Sequence, residues 1–190
     1  LFTSAILIDS MTLANGPGIL FYQEACRYWL KAFDRLPYFA RNGTLMEPPH
    51  GRVVTFKSAN AASFVACLLN SSLFYWYYSA FSDCEHVNDA LLRSFPVPID
   101  ILLEEWCTLS LRLIKRLEET GIRKTITTKQ GHTIQYDEMK ALNAKPIIDE
   151  IDHILARHYA FTDEELNFII NYDIKYRMGG ADGDEGDSEL

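Results

Sequence analysis

The histidines and acidic side chains are the residues of this sequence best suited to bind a metal ion or to transfer a proton. His153 and His158 stand five residues apart, about 500° around a helix, so they do not share a helical face. Asp149, Glu150 and Asp152 follow an amphipathic pattern, and we expect them on the solvated face of a helix. No serine lies in a G-x-S-x-G elbow. We therefore predict no metal site and no catalytic residue in this chain.

A Pro-Pro pair with polar neighbours, Glu47-Pro48-Pro49-His50, is a second candidate. It resembles the Asn-Pro-Pro-Tyr loop of amino methyltransferases, where the first residue accepts hydrogen bonds from the target amine and an aromatic face stacks on the flipped base. Glu in place of Asn changes reach and charge, and no glycine-rich strand–turn–helix for S-adenosylmethionine precedes it. We interpret the segment as a turn.

The composition provides enough apolar material for a buried core. The 190 residues are 48% hydrophobic, which suits one domain or two small ones. No apolar run is as long as a membrane helix and no basic leader opens the chain, so we expect no membrane partner. The four cysteines form no CxxC pair, and we interpret them as reduced, buried thiols of a cytoplasmic protein: Cys26, Cys67, Cys84 and Cys107.

The formal net charge of −8 argues against a simple basic DNA-binding domain. Residues 182–190, however, hold five acidic residues and no base, so the remainder carries −3. This stretch is also glycine-rich and lacks apolar anchors, and we predict that it is disordered. The mild charge of the remainder leaves room for a local basic surface.

The N-terminal half mixes strand and helix patterns. Residues 1–8 and 52–57 predict strands. Residues 21–36 fit a helical face and equally fit two short strands around a turn. Further along, three polar residues are candidate N-caps of successive helices, the last of which ends before the Phe95-Pro96-Val97-Pro98 segment. These caps are Ser58, Ser72 and Asn88.

The C-terminal half predicts mainly helices. Residues 102–119 show an apolar stripe that ends at Gly121. Residues 123–132 predict an exposed loop or hairpin. Pro146 suits the first turn of the next amphipathic helix, and Thr162 with a Glu three residues later forms a capping box for the last one.

These patterns predict an α+β fold. N-terminal strands form a small antiparallel or mixed sheet packed with helices, and a mainly helical part and a disordered acidic tail follow. We place the boundaries at residues 1–98, 99–178 and 179–190.

Three stretches resemble the C-terminal specificity region of adenine-specific DNA methyltransferases from type II restriction–modification systems, including fused methylase–endonucleases. The motifs occur in the order expected for that family, over about residues 58–98 and 144–179. They are LLNSSLFYWYY at 68–78 with FSDC at 81–84 and FPVP at 95–98; KPIIDEID at 145–152 with HY at 158–159 and FTDEEL at 161–166; and FIINYDIKYRMG at 168–179.

The resemblance implies a target-recognition region in residues 1–98, with strands within residues 21–33, and duplex DNA as the partner. It also implies an N-terminal catalytic domain in the same polypeptide, which would bind S-adenosylmethionine, flip the adenine and transfer the methyl group. Because residue 1 is Leu within a strand-like run, we expect a C-terminal piece of such an enzyme, with no cofactor of its own. Whether the parent also carries a nuclease is left open. The sequence departs from the family in lacking the catalytic half and in placing Glu85 after Cys84, where a basic residue is expected in many relatives.

A target-recognition module needs contacts to phosphates and to base edges. The predicted phosphate contacts are Arg27, Lys31, Arg35, Arg41, Lys57, Arg123 and Lys124. The predicted base-edge contacts are Asn42, Asn60, Ser82, Asp83, His86 and Asn88. Each basic residue also fits an ordinary solvated surface charge. The aromatic run at residues 74–78 predicts mostly core, with Tyr75 or Tyr78 as the ring that reaches DNA.

Two other functions fit the sequence. Residues 99–178 also fit a helical module that docks the catalytic domain without touching DNA, because their acidic outer faces would repel phosphate. A self-contained enzyme with an unseen site is the second alternative.

Overall fold

Three antiparallel sheets and seven α-helices form the part of the chain that the computed structural model describes, which is residues 5–26, 28–99, 101 and 104–178. The α+β class is as predicted. The strands are β1 (Ala5–Leu7), β2 (Gly18–Gln23), β3 (Ala32–Phe33), β4 (Phe39–Arg41), β5 (Thr44–Leu45), β6 (Gly51–Phe56), β7 (Pro96–Pro98), β8 (Ile122–Thr127) and β9 (Thr133–Glu138). The helices are α1 (Ala59–Asn70), α2 (Ser72–Phe81), α3 (Asp89–Arg93), α4 (Glu104–Thr120), α5 (Lys145–His158), α6 (Asp163–Asn171) and α7 (Ile174–Arg177), with 3-10 turns at Ile8–Met11 and Ala141–Ala144.

The strands at the N-terminus form a central sheet in the order β3-β2-β6. Its β2 and β3 strands pair with Phe21 opposite Phe33, which confirms two short strands in residues 21–33. Residues 28–30, which also carry β-forming side chains, are not in a strand. The strand predicted at residues 52–57 is β6, and β1 lies within the strand predicted at residues 1–8, of which residues 1–4 are outside the described part.

Helix α1 is the centre of the core. All residues from Ala61 to Asn70 are buried, because α1 packs against β2 on one side and against α4 on the other. Phe64 meets Trp106 of α4 edge-to-face at 5.1 Å between ring centroids. The amide of Asn70 donates to Ala32 O at 2.8 Å and so ties the end of α1 to β3. A single buried cluster joins side chains from both sides of the boundary that we placed at residue 98.

The helix caps follow the sequence with one correction. Ser58, Asn88 and the Thr162–Glu165 capping box are confirmed. Ser71, and not Ser72, caps α2. The backbone of Ser71 is extended and its Oγ accepts the N–H of Phe74 at 3.1 Å, whereas Ser72 is already helical.

Asp152 corrects the expectation of a solvated acidic face on α5. Its side chain is 2% exposed, because α2 covers this side of α5, and its Oδ1 accepts the N–H of Ser72 at 2.8 Å. Burial raises the pKa of Asp152 to about 6, against the opposing effects of the Ser72 hydrogen bonds and the buried Arg177. Asp149 and Glu150 stay partly exposed and pair with Lys145 and Arg112.

Among the remaining predictions, a helix and a hairpin are confirmed and the burial of two cysteines is corrected. The helix expected at residues 102–119 is α4, whose described part starts at Glu104, and the hairpin expected at residues 123–132 is β8–β9. Cys26 and Cys67 are buried, but Cys84 is exposed and Cys107 partly exposed, contrary to expectation. The predicted acidic tail lies outside the described residues. No helix in the described ranges is both long and apolar enough to cross a bilayer.

Candidate nucleic-acid interface

The third sheet, which we call the peripheral sheet, has the order β5-β4-β9-β8 and joins chain segments far apart in sequence. Its strands pack mainly on one another. Every residue of β9 is partly exposed, so the strand has no buried face. A strand that packs on a core alternates between buried and exposed positions. Within the peripheral sheet, β9 therefore presents side chains of intermediate exposure on both faces, whereas Phe39 and Ala40 of β4 are buried.

Two turns meet at one end of this sheet and form what we call the distal tip, Arg41–Thr44 together with Thr128–His132. Asn42 joins them: its N–H donates to Thr133 O at 2.7 Å, and its Oδ1 accepts the N–H of Thr133 at 2.9 Å. Its Nδ2 lies 3.0 Å from Nδ1 of His132. Asn42 has φ +51°, a left-handed conformation that Asn tolerates well. The tip is thus held by hydrogen bonds and not by apolar packing.

The distal tip is free of acidic residues. Residues 39–46 and 124–136 contain Arg41, Lys124 and Lys129 but no Asp or Glu, within a chain of net charge −8. Within the described ranges neither Arg41 nor Lys129 forms an ion pair, and both are exposed. Gln130 and His132 add amide and imidazole groups. This arrangement concentrates uncompensated positive charge and hydrogen-bonding groups at one end of an acidic protein.

At the opposite end of the peripheral sheet, two of the predicted phosphate contacts are paired with acidic side chains. Arg123 forms an ion pair with Asp137, and its guanidinium lies 3.5 Å from the ring centroid of Tyr38. The Asp137 hydrogen bond raises the pKa of Arg123. Lys124 lies 3.4 Å from Glu138. These contacts hold β8 against β9, so the charges of the exposed Arg123 and the partly exposed Lys124 are compensated.

Other predicted phosphate contacts lie apart from the tip. Arg35 is next to Asp34 at 3.6 Å, and Lys57 donates to Ser10 O at 2.6 Å. Lys31 lines a cavity between the central and peripheral sheets. Arg27 lies outside the described residues. Of the predicted basic residues that are described, the structure brings only Arg41 to the distal tip.

Three of the four predicted base-edge residues between 82 and 88 use their side chains in local hydrogen bonds, and the fourth, His86, is hydrogen-bonded through its backbone. Ser82 Oγ accepts the N–H of Cys84, and Asp83 Oδ1 accepts the N–H groups of Glu85 and His86, which lowers the pKa of Asp83. His86 forms an isolated bridge to Ala25 through the backbone. Asn88 is the N-cap of α3. Separately, Asn60 Oδ1 accepts from the Cys107 thiol at 3.0 Å.

The surroundings of that loop are acidic. Glu24 and Asp89 flank it and both pair with Arg52, while Glu85 is exposed. Because Glu24 and Asp89 are paired, the exposed Glu85 is the acid that disfavours phosphate at this position. The loop therefore fits a structural role better than DNA contact.

The aromatic run on α2 is mainly core, as predicted, but the ring expected to reach DNA was chosen wrongly. Tyr75 and Tyr78 are buried, and the Tyr78 hydroxyl donates to Cys26 O at 3.2 Å. Trp76 and Tyr77 are the partly exposed members, and the ring of Phe81 lies 4.9 Å from that of Tyr77. The helical period turns positions 76 and 77 away from α1.

Sequence reasoning missed Lys129, Gln130 and His132, which the fold places beside Arg41. Two signals bear on this site: the Asn42-Gly43 and Gly131 turn residues, and the absence of acids around both turns. The pairing of β4 with β9 was not visible, because 93 to 97 residues separate the paired positions.

The described residues contain no group of three or more His, Cys, Asp or Glu side chains placed to share a metal ion. No protein-family model, no curated protein and no solved structure matches the chain.

Proposed function

We propose that this chain is the target-recognition part of a site-specific adenine-N6 DNA methyltransferase, and that it binds duplex DNA through the distal tip. The observation that carries the proposal is the acid-free end of the peripheral sheet in an otherwise acidic chain. The sequence motifs at residues 68–84, 95–98 and 145–179 supply the enzyme class by resemblance.

The shape of the tip suits a DNA groove. The major groove admits a two-stranded β-ribbon, and β-ribbon readers place strand side chains against base edges. In this proposal Arg41 and Lys129 contact phosphates on either side, and Gln130 contacts a base edge. Asn42 is reassigned from base contact to positioning, because its side chain already joins the two turns.

The methyl transfer itself belongs to an N-terminal catalytic domain of the same polypeptide, which would bind S-adenosylmethionine. The chain described here contributes no cofactor ligand and no catalytic residue in this proposal. We also propose a cytoplasmic location, where the enzyme and its DNA substrate meet.

A helical docking module is the second candidate, and one observation favours it. Three large apolar side chains on α2, α6 and α7 are more than half exposed: Phe81, Phe168 and Tyr176. Exposed apolar side chains of this size favour contact with another protein surface. The first turn of α6 adds three acids, which disfavour DNA at this face. In the docking function these helices bind the catalytic domain, and no part of the chain touches DNA.

Fluorescence anisotropy with a random-sequence duplex pool separates the two functions. We expect salt-sensitive binding, with an enriched motif in the sequenced bound fraction. The double variant Arg41→Ala/Lys129→Ala should reduce the slope of log affinity against log salt by about two, since each lost phosphate contact removes about one. The control Lys115→Ala/Arg157→Ala removes the same charge from exposed positions on α4 and α5 and should leave the slope unchanged. An equal effect of both double variants on this slope would refute the proposal that the distal tip contacts DNA.

A further inference from the structure

A cavity of about 110 Å³ lies between the central and peripheral sheets. Two cross-strand aromatic pairs from different sheets contribute to its lining. These are Phe21 with Phe33 and Phe39 with Tyr136. Three prolines and a methionine add to the apolar part of the wall: Pro37, Pro48, Pro49 and Met139. The Pro-Pro segment that the sequence presents as a turn therefore also forms one side of an aromatic cavity.

Strand pairing and proline rings keep this cavity open. Phe21 and Phe33 are buried and fixed by the strand pairing, and Phe21 lies over Gly51, where a Cβ would sit 2.2 Å from its Cζ. Proline rings add walls with a fixed φ. A cavity of about 150 Å³ lined by apolar side chains encloses benzene, so this cavity of about 110 Å³ encloses only part of a planar ring and leaves the rest of the ring outside.

The polar groups of the lining are few. Gln23 ends β2, and within the described ranges its side-chain amide takes part in no hydrogen bond. Lys31 adds a positive charge, and Asp137 is held by Arg123. An amide can donate to and accept from a base edge at once, as Gln does with adenine. A lysine suits the phosphate attached to such a base.

We propose that this cavity binds a single unstacked nucleobase, with the ring held among the aromatic and proline walls and its edge hydrogen-bonded by Gln23. This inference rests on the proposed function for its natural source, an extruded base of the bound DNA other than the adenine that the catalytic domain flips. A free nucleotide shares the same chemistry and is the other source. Because stacking of a base on aromatic side chains is favourable, the cavity should favour an extruded base over a paired one by about tenfold.

The test uses two duplexes of one sequence, one fully paired and one with a single bulged 2-aminopurine, and a mononucleotide arm. Binding should quench the 2-aminopurine fluorescence through stacking, and the bulged duplex should bind about tenfold more tightly. Gln23→Ala and Tyr136→Leu should each abolish most of that preference while leaving the affinity for paired duplex unchanged. Tyr176→Ala removes an exposed ring outside the cavity and should change neither value.

The arms separate the failure of this inference from that of the proposed function. Equal binding of both duplexes, with no mononucleotide binding, would overturn the cavity proposal and leave the tip intact. If neither duplex binds but adenosine or cytidine monophosphate does, and Gln23→Ala weakens it, the cavity stands with a free nucleotide as its ligand and the DNA-binding function fails. If neither duplex nor mononucleotide binds, both proposals fail.

Discussion

The central sheet with α1 and the peripheral sheet are built from similar strands but by different means. In β2 four of six residues are buried, and α1 buries ten consecutive residues against it and α4. In β9 no residue is buried, and the strand is held by its neighbours and by ion pairs such as Arg123–Asp137. Burial alone explains the residues of the first region. It does not explain most of those of the second, to which the proposed function assigns contact with DNA.

The largest effect on the free energy of unfolding is expected for a substitution in the core. Phe64→Ala empties the space beside Trp106 and should lower the free energy of unfolding by about 3–5 kcal/mol. Chemical denaturation followed by tryptophan fluorescence measures it. Ile126→Ala, on the peripheral sheet, is the matched control and should cost much less, because its side chain is only partly buried. Equal costs would mean that the two sheets share one mode of stabilisation.

The next effect concerns the buried carboxyl of Asp152. Its pKa in the fold, about 6, lies above the ordinary value of 3.8. The protonated form is therefore favoured by folding, and the stabilisation present below pH 4 is lost as pH rises through 6. The stability of the parent relative to Asp152→Asn should fall by about 2–2.5 kcal/mol between pH 4 and pH 7.

Unfolding by urea at several pH values checks this. Asn keeps an acceptor for the Ser72 N–H, so the comparison isolates the charge. Asp163→Asn, on the exposed first turn of α6, should change by less than about 1 kcal/mol over the same range. A relative stability of the Asp152 variant that is flat with pH would contradict the buried, raised-pKa description.

The smallest effect is expected at the junction of the two turns. Asn42→Ala removes the acceptor for Thr133 N–H and places Ala at φ +51°, which together should cost about 1–2 kcal/mol. The loss should stay within the peripheral sheet: amide hydrogen exchange of β9 should accelerate while that of α1 does not. Asn42→Gly keeps the backbone conformation and separates the two causes. Equal acceleration of amide exchange in α1 would show that the peripheral sheet and the core do not open separately.

Local signals in the sequence were sufficient for the helices. Caps such as Ser58 and Asn88 and the stripes of α4 and α5 depend on neighbours within a few residues. Burial of Asp152 was not predictable, because a polar residue on an amphipathic helix is normally solvated, and only the packing of α2 on α5 covers it. The candidate site was predicted least well, since Arg41 and Lys129 come together only through the pairing of β4 with β9.

The most direct test of the distal tip as the DNA-binding surface is a titration of the ¹⁵N-labelled chain with the duplex selected from the random pool. Amide chemical shifts are measured at each step of the titration. We expect the largest shift changes on Arg41–Thr44 and Thr128–His132, with α6 and α7 unaffected. Largest changes on α6 and α7, or no change at any amide at low salt, would contradict the assignment of the distal tip as the DNA-binding surface.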